Sequence, residues 1–220
     1  HALAHLGADA LQQVLPGQPA SPQAARLVIG VGTGMNAAPV YRLGHRTLVP
    51  PAEAGHMSLP AQNSVELRLL EHVARHHGTP GLEEVLSGRG VAQIYAWLAD
   101  EAGTAAKSPQ AVMESLGTDP LAQKALTIFI RFLGRSAGNL ALVTLPFGGV
   151  YLIGGVARRA SAHFETHGFA QAFRDKGRFA DFMDQFPVHI VTDDYAALIG
   201  CAAHLSETGE GQDQAHSSES

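Results

Sequence analysis

Cysteine occurs only once in the 220 residues, as Cys201, which excludes an intrachain disulfide and a multi-cysteine zinc site and points to a reducing, cytoplasmic setting. Lysine is also scarce, three against twelve arginines, and the 15 basic residues fall short of the 20 acidic ones, for a formal charge of −5. No stretch concentrates these cations as a phosphate-backbone binder requires, so nucleic acid is not an expected partner. No apolar run approaches the roughly 20 residues of a bilayer span, so a soluble protein without a membrane partner is expected. Methionine is missing from position 1. His1 stands there with no basic n-region or cleavage signal, which reads as a fragment rather than an intact start or a signal peptide. What is present is core material: 45% of residues are hydrophobic and 16% charged, in 23.1 kDa, enough to bury one substantial core.

Strand and helix signals alternate along the chain, which predicts a layered α/β architecture. Residues 2–15 carry Leu3, Leu6, Ala10, Leu11 and Val14 at helical spacing before Pro16-Gly17, so residues 1–25 read as a helix and a linker. Arg26 to Val31 reads as a buried strand running into Gly32-Thr33-Gly34, followed by a hairpin around Gly44. Val65, Leu67, Leu69, Leu70, Val73 and Ala74 form a helical stripe ending at Gly78, and shorter helices follow near 81–86, 91–101 and 108–116. The longest helix starts with Asp119 as cap and Pro120 in the first turn and runs to about Thr144. Gly134, Ala137, Gly138 and Ala141 share one of its faces and invite a close neighbour, while Arg131, Arg135 and Asn139 argue against a membrane helix. Two more strands are expected at 147–155 and 187–191, the second entering a helix capped by Asp193 or Asp194. Residues 26–205 thus form the main domain, and 206–220 read as a disordered tail.

Three segments carry possible chemistry. Gly30-Val31-Gly32-Thr33-Gly34 lies at a strand end, where backbone amides can meet phosphate oxygens and Thr33 can add its hydroxyl. Met35 and the extended residues after it exclude a dinucleotide fingerprint, which must open a helix, so a phosphate loop inside a β-hairpin fits better. Taken alone, the same motif is also consistent with a tight turn. Glu53-Ala54-Gly55-His56 and Glu83 supply two carboxylates and an imidazole, a set suited to reading hydroxyl groups, although singly each residue also suits a solvated surface. Gly148-Gly149 and Gly154-Gly155 bracket a strand and offer either backbone for a nucleoside face or room for a crossing helix. His72, His76 and His77 share a helix without the glutamate of a zinc-protease motif and read as a solvated face, so no metal site is expected. Cys201 lies in an Ala- and Gly-rich helix and reads as a small buried residue.

In order and spacing these words resemble the C-terminal part of bacterial ATP-dependent glucokinases of the hexokinase-like type. The matching stretches also include Glu83-Glu84-Val85-Leu86-Ser87-Gly88, Gly138-Asn139-Leu140-Ala141-Leu142, Phe173-Arg174-Asp175-Lys176-Gly177-Arg178 and Gly200 to Leu205. The resemblance implies the ribonuclease H-like fold of the actin and hexokinase superfamily, with this chain as the large domain and the N-terminal small domain missing. It implies transfer of the γ-phosphoryl of ATP, with Mg2+, to the 6-hydroxyl of glucose, in a cytoplasmic homodimer. By the same resemblance Glu53, His56 and Glu83 hold the sugar, Gly32, Thr33 and Gly34 form the second phosphate loop, and Gly154 and Gly155 belong to the adenosine motif. Two departures stand out: Met35-Asn36 replaces a usual Leu-Gly, and Ala54 replaces a Gly beside the sugar site. The family's Asp-x-Gly-Gly-Thr first phosphate loop and the Asn-Asp pair carrying its general base do not occur here. No catalytic residue is therefore assigned, and the chain alone is expected to be inactive. The alternatives are a non-catalytic sugar- or nucleotide-binding domain of this type, or a kinase for another hexose.

Overall fold

A computed structural model describes every residue except His1, His5, His45, Asp194, Ala197, Ala203 and 206–220; the expected tail, and Asp194 as a cap, lie outside the described residues. Six strands form one mixed sheet in the order β1-β6-β5-β2-β3-β4. These are β1 (Leu11–Leu15), β2 (Arg26–Val31), β3 (Met35–Leu43), β4 (Arg46–Leu48), β5 (Val150–Ile153) and β6 (Val188–Val191). The inner strands β2, β5 and β6 run parallel, and β1, β3 and β4 add antiparallel edges. Alternation sets the faces. Along β2, Leu27, Ile29 and Val31 are buried against the helices, while Val28 joins Ile153, Val191 and Tyr151 in a smaller cluster on the opposite face.

The helical layer consists of α1 (Ser64–His77), α2 (Leu82–Val85), α3 (Gly90–Glu101), α4 (Pro109–Glu114), α5 (Pro120–Thr144), α6 (Gly155–Ser161) and α7 (Phe169–Arg174). Its axis is α5, where Phe129, Phe132 and Leu133 are fully buried. Asp119 caps it by accepting the Leu121 N–H at 2.8 Å, and Pro120 occupies the first turn. The helix is long and apolar enough to cross a bilayer, but 72% of its most apolar window is buried inside the protein. Its small-residue face meets α7: a Cβ on Gly134 would lie 2.6 Å from the Phe169 carbonyl oxygen, and one on Gly138 would overlap that of Phe173. The close partner is thus α7 rather than the glycine-bracketed strand.

Three expectations are corrected. Residues 2–15 do not form a helix: two short 3-10 turns, Ala2–Ala4 and Ala8–Ala10, lead into β1, which pairs with β6. Leu3, Leu6 and Leu11 find their apolar partners on the outer sheet face, so tertiary pairing overrides helical spacing. Leu67 is 53% exposed, because the buried stripe of α1 narrows to Leu69 and Val73. Cys201 is exposed; the helical residues after Asp193 bury Ala196, and Cys201 falls five positions on, outside that face.

Candidate functional site

The site grows from the C-terminal ends of β2 and β5, the edge at which open α/β sheets place ligands. Val31 pairs with Met35, so Gly32-Thr33-Gly34 closes a three-residue hairpin loop. Inside it the Gly32 N–H donates to the Gly34 carbonyl at 2.9 Å, which leaves the N–H groups of Thr33 and Gly34 without an acceptor among the described residues. Gly34 is glycine for lack of room: an added Cβ would stand 2.6 Å from Glu83 Oε2. That oxygen accepts the N–H of buried Met35 at 3.0 Å, joining the sugar-binding candidate to the phosphate-loop candidate.

The other sugar candidates sit on the segment that arrives beside β3. Residues 57–59 run antiparallel to 80–82 through the Ser58–Gly81 bridge, with the Leu82 N–H donating to the Met57 carbonyl at 2.8 Å and the Leu59 N–H to that of Pro80 at 3.0 Å. The pairing carries His56 to the start of α2, where its Cα lies 3.7 Å from a Cβ placed on Gly81. A Cβ on Gly55 would overlap the Met35 carbonyl oxygen, so this loop lies directly on β3. Glu53 and His56 are exposed, and their side chains make no hydrogen bond or ion pair with any described residue. Asn36 ties the loop down: its Nδ2 donates to the Ala52 carbonyl at 2.6 Å, and its Oδ1 accepts the N–H groups of Ala54 at 2.9 Å and Ala37 at 2.8 Å.

Gly154, the last residue before α6, has φ +108° and packs where a Cβ would come 2.5 Å from the Val31 carbonyl oxygen. Gly154 and Gly155 therefore lie next to the Gly32 turn. Gly88 completes the junction by donating its N–H to the Gly32 carbonyl at 2.7 Å. A cleft of about 380 Å³ opens from Ser87 and Gly88 toward Gln110 and Glu114 of α4 and Val156 and Arg159 of α6. Ser87 Oγ is buried with no hydrogen-bond partner among the described residues.

Ser87 and Arg159 were not among the residues singled out from sequence, Asn36 stood out only as a departure from the family pattern, and the helix near 108–116 was expected without any link to the site. Ser87 stood within the quoted Leu86-Ser87-Gly88, but a serine beside glycine carries no signal of burial. Also unforeseen was a buried ion pair, Arg135 Nη1 to Glu66 Oε2 at 3.0 Å, with Arg135 donating to the Pro60 carbonyl at 2.7 Å and Glu66 accepting the Gln62 N–H at 2.7 Å. The α1 histidines serve local contacts: His76 Nδ1 lies 2.8 Å from the His72 carbonyl, His77 is 3.3 Å from Glu84, and burial pushes the half-buried His72 below the usual histidine range. Among the described residues no group of three or more His, Cys, Asp or Glu could hold a metal ion.

The family model "Glucokinase" matches residues 1–208. A glucokinase from Mesorhizobium japonicum is 36% identical over 210 residues, covering 92% of this chain and 60% of its own. The crystal structure of a glucokinase from an Antarctic psychrotroph superposes with a TM-score of 0.82 at 31% identity, covering 94% of this chain and 65% of that one. A Balamuthia mandrillaris glucokinase solved with glucose shares the fold, with a TM-score of 0.74 at 22% identity over 89% of this chain and 58% of its own. The chain thus spans about 60% of the length of its relatives. Its mixed α/β sheet is the ribonuclease H-like fold of the actin and hexokinase superfamily, and the chain belongs to the glucokinase family.

Proposed function

We propose that this chain is the sugar- and nucleotide-binding portion of an ATP:glucose phosphotransferase, with Glu53, His56 and Glu83 holding the hexose hydroxyls. The observation that supports the reading is the contact of Glu83 with the hairpin, its carboxylate on the Met35 N–H and against Gly34, as a hydroxyl-reading group next to a phosphate loop would require. Carboxylates accept from hydroxyls, and a site built for them rejects ligands lacking those groups because its polar atoms would go unpaired. The free N–H groups of Thr33 and Gly34 suit phosphate oxygens. The cleft from Ser87 to Arg159, beside Gly154 and Gly155, suits the nucleoside, and the unpartnered Ser87 hydroxyl fits a polar ligand there. Bound ATP supplies the phosphoryl group, and Mg2+ offsets its charge. With no metal cage among the described residues, the ion would be held mainly through the phosphates, as Mg2+ often is.

The protein's own contribution on this reading is positioning, which phosphoryl transfer chiefly demands. The general base and the first phosphate loop come from outside these 220 residues. The same reading makes the protein a cytoplasmic homodimer. In the complete protein, Glu83→Gln is expected to raise the glucose KM about 10- to 100-fold, since a charged hydrogen-bond partner is lost, and to leave the ATP KM within about twofold. Coupled measurement of ADP formation at varied glucose checks it; an unchanged glucose KM refutes the sugar assignment.

A further inference from the structure

Glu53 reaches solvent without a side-chain partner, so something else must set its place. Its neighbours on both sides are held by one residue. Asn36 Nδ2 donates to the Ala52 carbonyl before it, and Asn36 Oδ1 accepts the Ala54 N–H after it, at 2.6 and 2.9 Å. Both bonds span the 16 to 18 residues from β3 to the loop, and the side chain is itself oriented by the Ala37 N–H at 2.8 Å. One residue earlier, Met35 gives its N–H to Glu83. Consecutive residues at the start of β3 thus engage both segments: the Met35 N–H holds the Glu83 carboxylate, and the Asn36 amide holds the backbone on either side of Glu53.

We propose that Asn36 is a positioning residue for hexose recognition, clamping the backbone on either side of Glu53 so that its carboxylate is presented ready-placed to sugar hydroxyls. A loop held before the ligand arrives spares the cost of ordering it on binding. The amide suits the task because it donates to a carbonyl and accepts from an N–H at once, whereas an aspartate can only accept and would set its charge against the Ala52 carbonyl. The inference rests on the reading of Glu53 as a sugar ligand.

The test uses the complete protein, with glucose Kd measured calorimetrically without nucleotide, steady-state KM and kcat, and thermal melting. Asn36→Ala removes both clamps and should weaken glucose binding about tenfold while kcat and the ATP KM stay within about twofold. Asn36→Asp, which keeps the acceptor, should fall between Asn36→Ala and the parent. Combined with Glu53→Gln, Asn36→Ala should add less than its effect alone, since the two act on one contact. If Glu53→Gln leaves glucose affinity unchanged, the sugar reading fails and this inference with it. If Glu53→Gln weakens binding but Asn36→Ala does not, the inference alone fails. It also fails if Asn36→Ala lowers kcat, both KM-related affinities and the melting temperature together, which would mark a general structural role.

Discussion

Gly34 illustrates how little freedom the site leaves a single residue. Its φ is not positive, so the constraint is space: a methyl group would stand 2.6 Å from Glu83 Oε2 and 3.1 Å from Glu83 Cδ. The carboxylate would have to swing away from the Met35 N–H and from the hairpin. Gly34→Ala is therefore expected to lower kcat/KM for glucose about 100-fold in the complete protein, the scale of loss that follows when a positioning group is displaced by about 1 Å. Melting should shift little, because Glu83 is only half-buried and can turn to solvent. Steady-state kinetics beside a melting curve check both. Glu53, His56, Glu83 and the glycines could be nominated from sequence because each is a distinctive residue in a recognisable word. Asn36 was visible only as a departure from the family pattern, since its partners lie 16 and 18 residues away and no spacing rule links them.

Among the elements, legibility followed local chemistry. The bounds of α5 could be read because Asp119 and Pro120 declare its start in side-chain terms. Strand β1 could not, because five residues with a mixed burial pattern are strand only through pairing with β6, far along the chain. The Asp119 cap also makes a pH prediction. Lys107 donates to its carboxylate at 2.6 Å and Tyr95 at 2.8 Å, and these bonds hold it down at about 2. A carboxylate depressed in the folded state stabilises fully above its unfolded value of about 4, and that contribution is lost as pH falls toward 2. Urea midpoints of the parent and Asp119→Asn should therefore differ most at neutral pH and converge between about pH 4 and 2. The buried Glu66–Arg135 pair gives a larger effect. Arg135→Ala strands a carboxylate that is 3% exposed and is expected to cost about 3 to 5 kcal/mol of stability. Replacing both residues, as Glu66→Leu with Arg135→Met, should recover part of it, which urea denaturation would show.

At the scale of the whole molecule, every candidate ligand group lies at one edge of the sheet. Gly32 to Gly34 and Gly154 stand at adjacent strand ends, Glu83 and His56 are brought beside the first by the pairing of 57–59 with 80–82, and the cleft continues from Gly88. On the proposed function the arrangement is one side of a binding site. Glu53, His56 and Thr33 are left exposed, and the Glu53 and His56 side chains make no hydrogen bond or ion pair with any described residue. Phosphoryl transfer gains most of its rate from fixing acceptor and donor together away from water, and an open wall fixes each separately. The 220-residue chain on its own is accordingly expected to bind without turning over. In a coupled assay it should form no ADP above the glucose-free rate, whereas the complete protein should turn over at the roughly 1 to 1,000 per second usual for enzymes. Normal turnover by the 220 residues alone would mean that the base and the donor clamp lie within them, and the division of labour argued from this edge would be wrong.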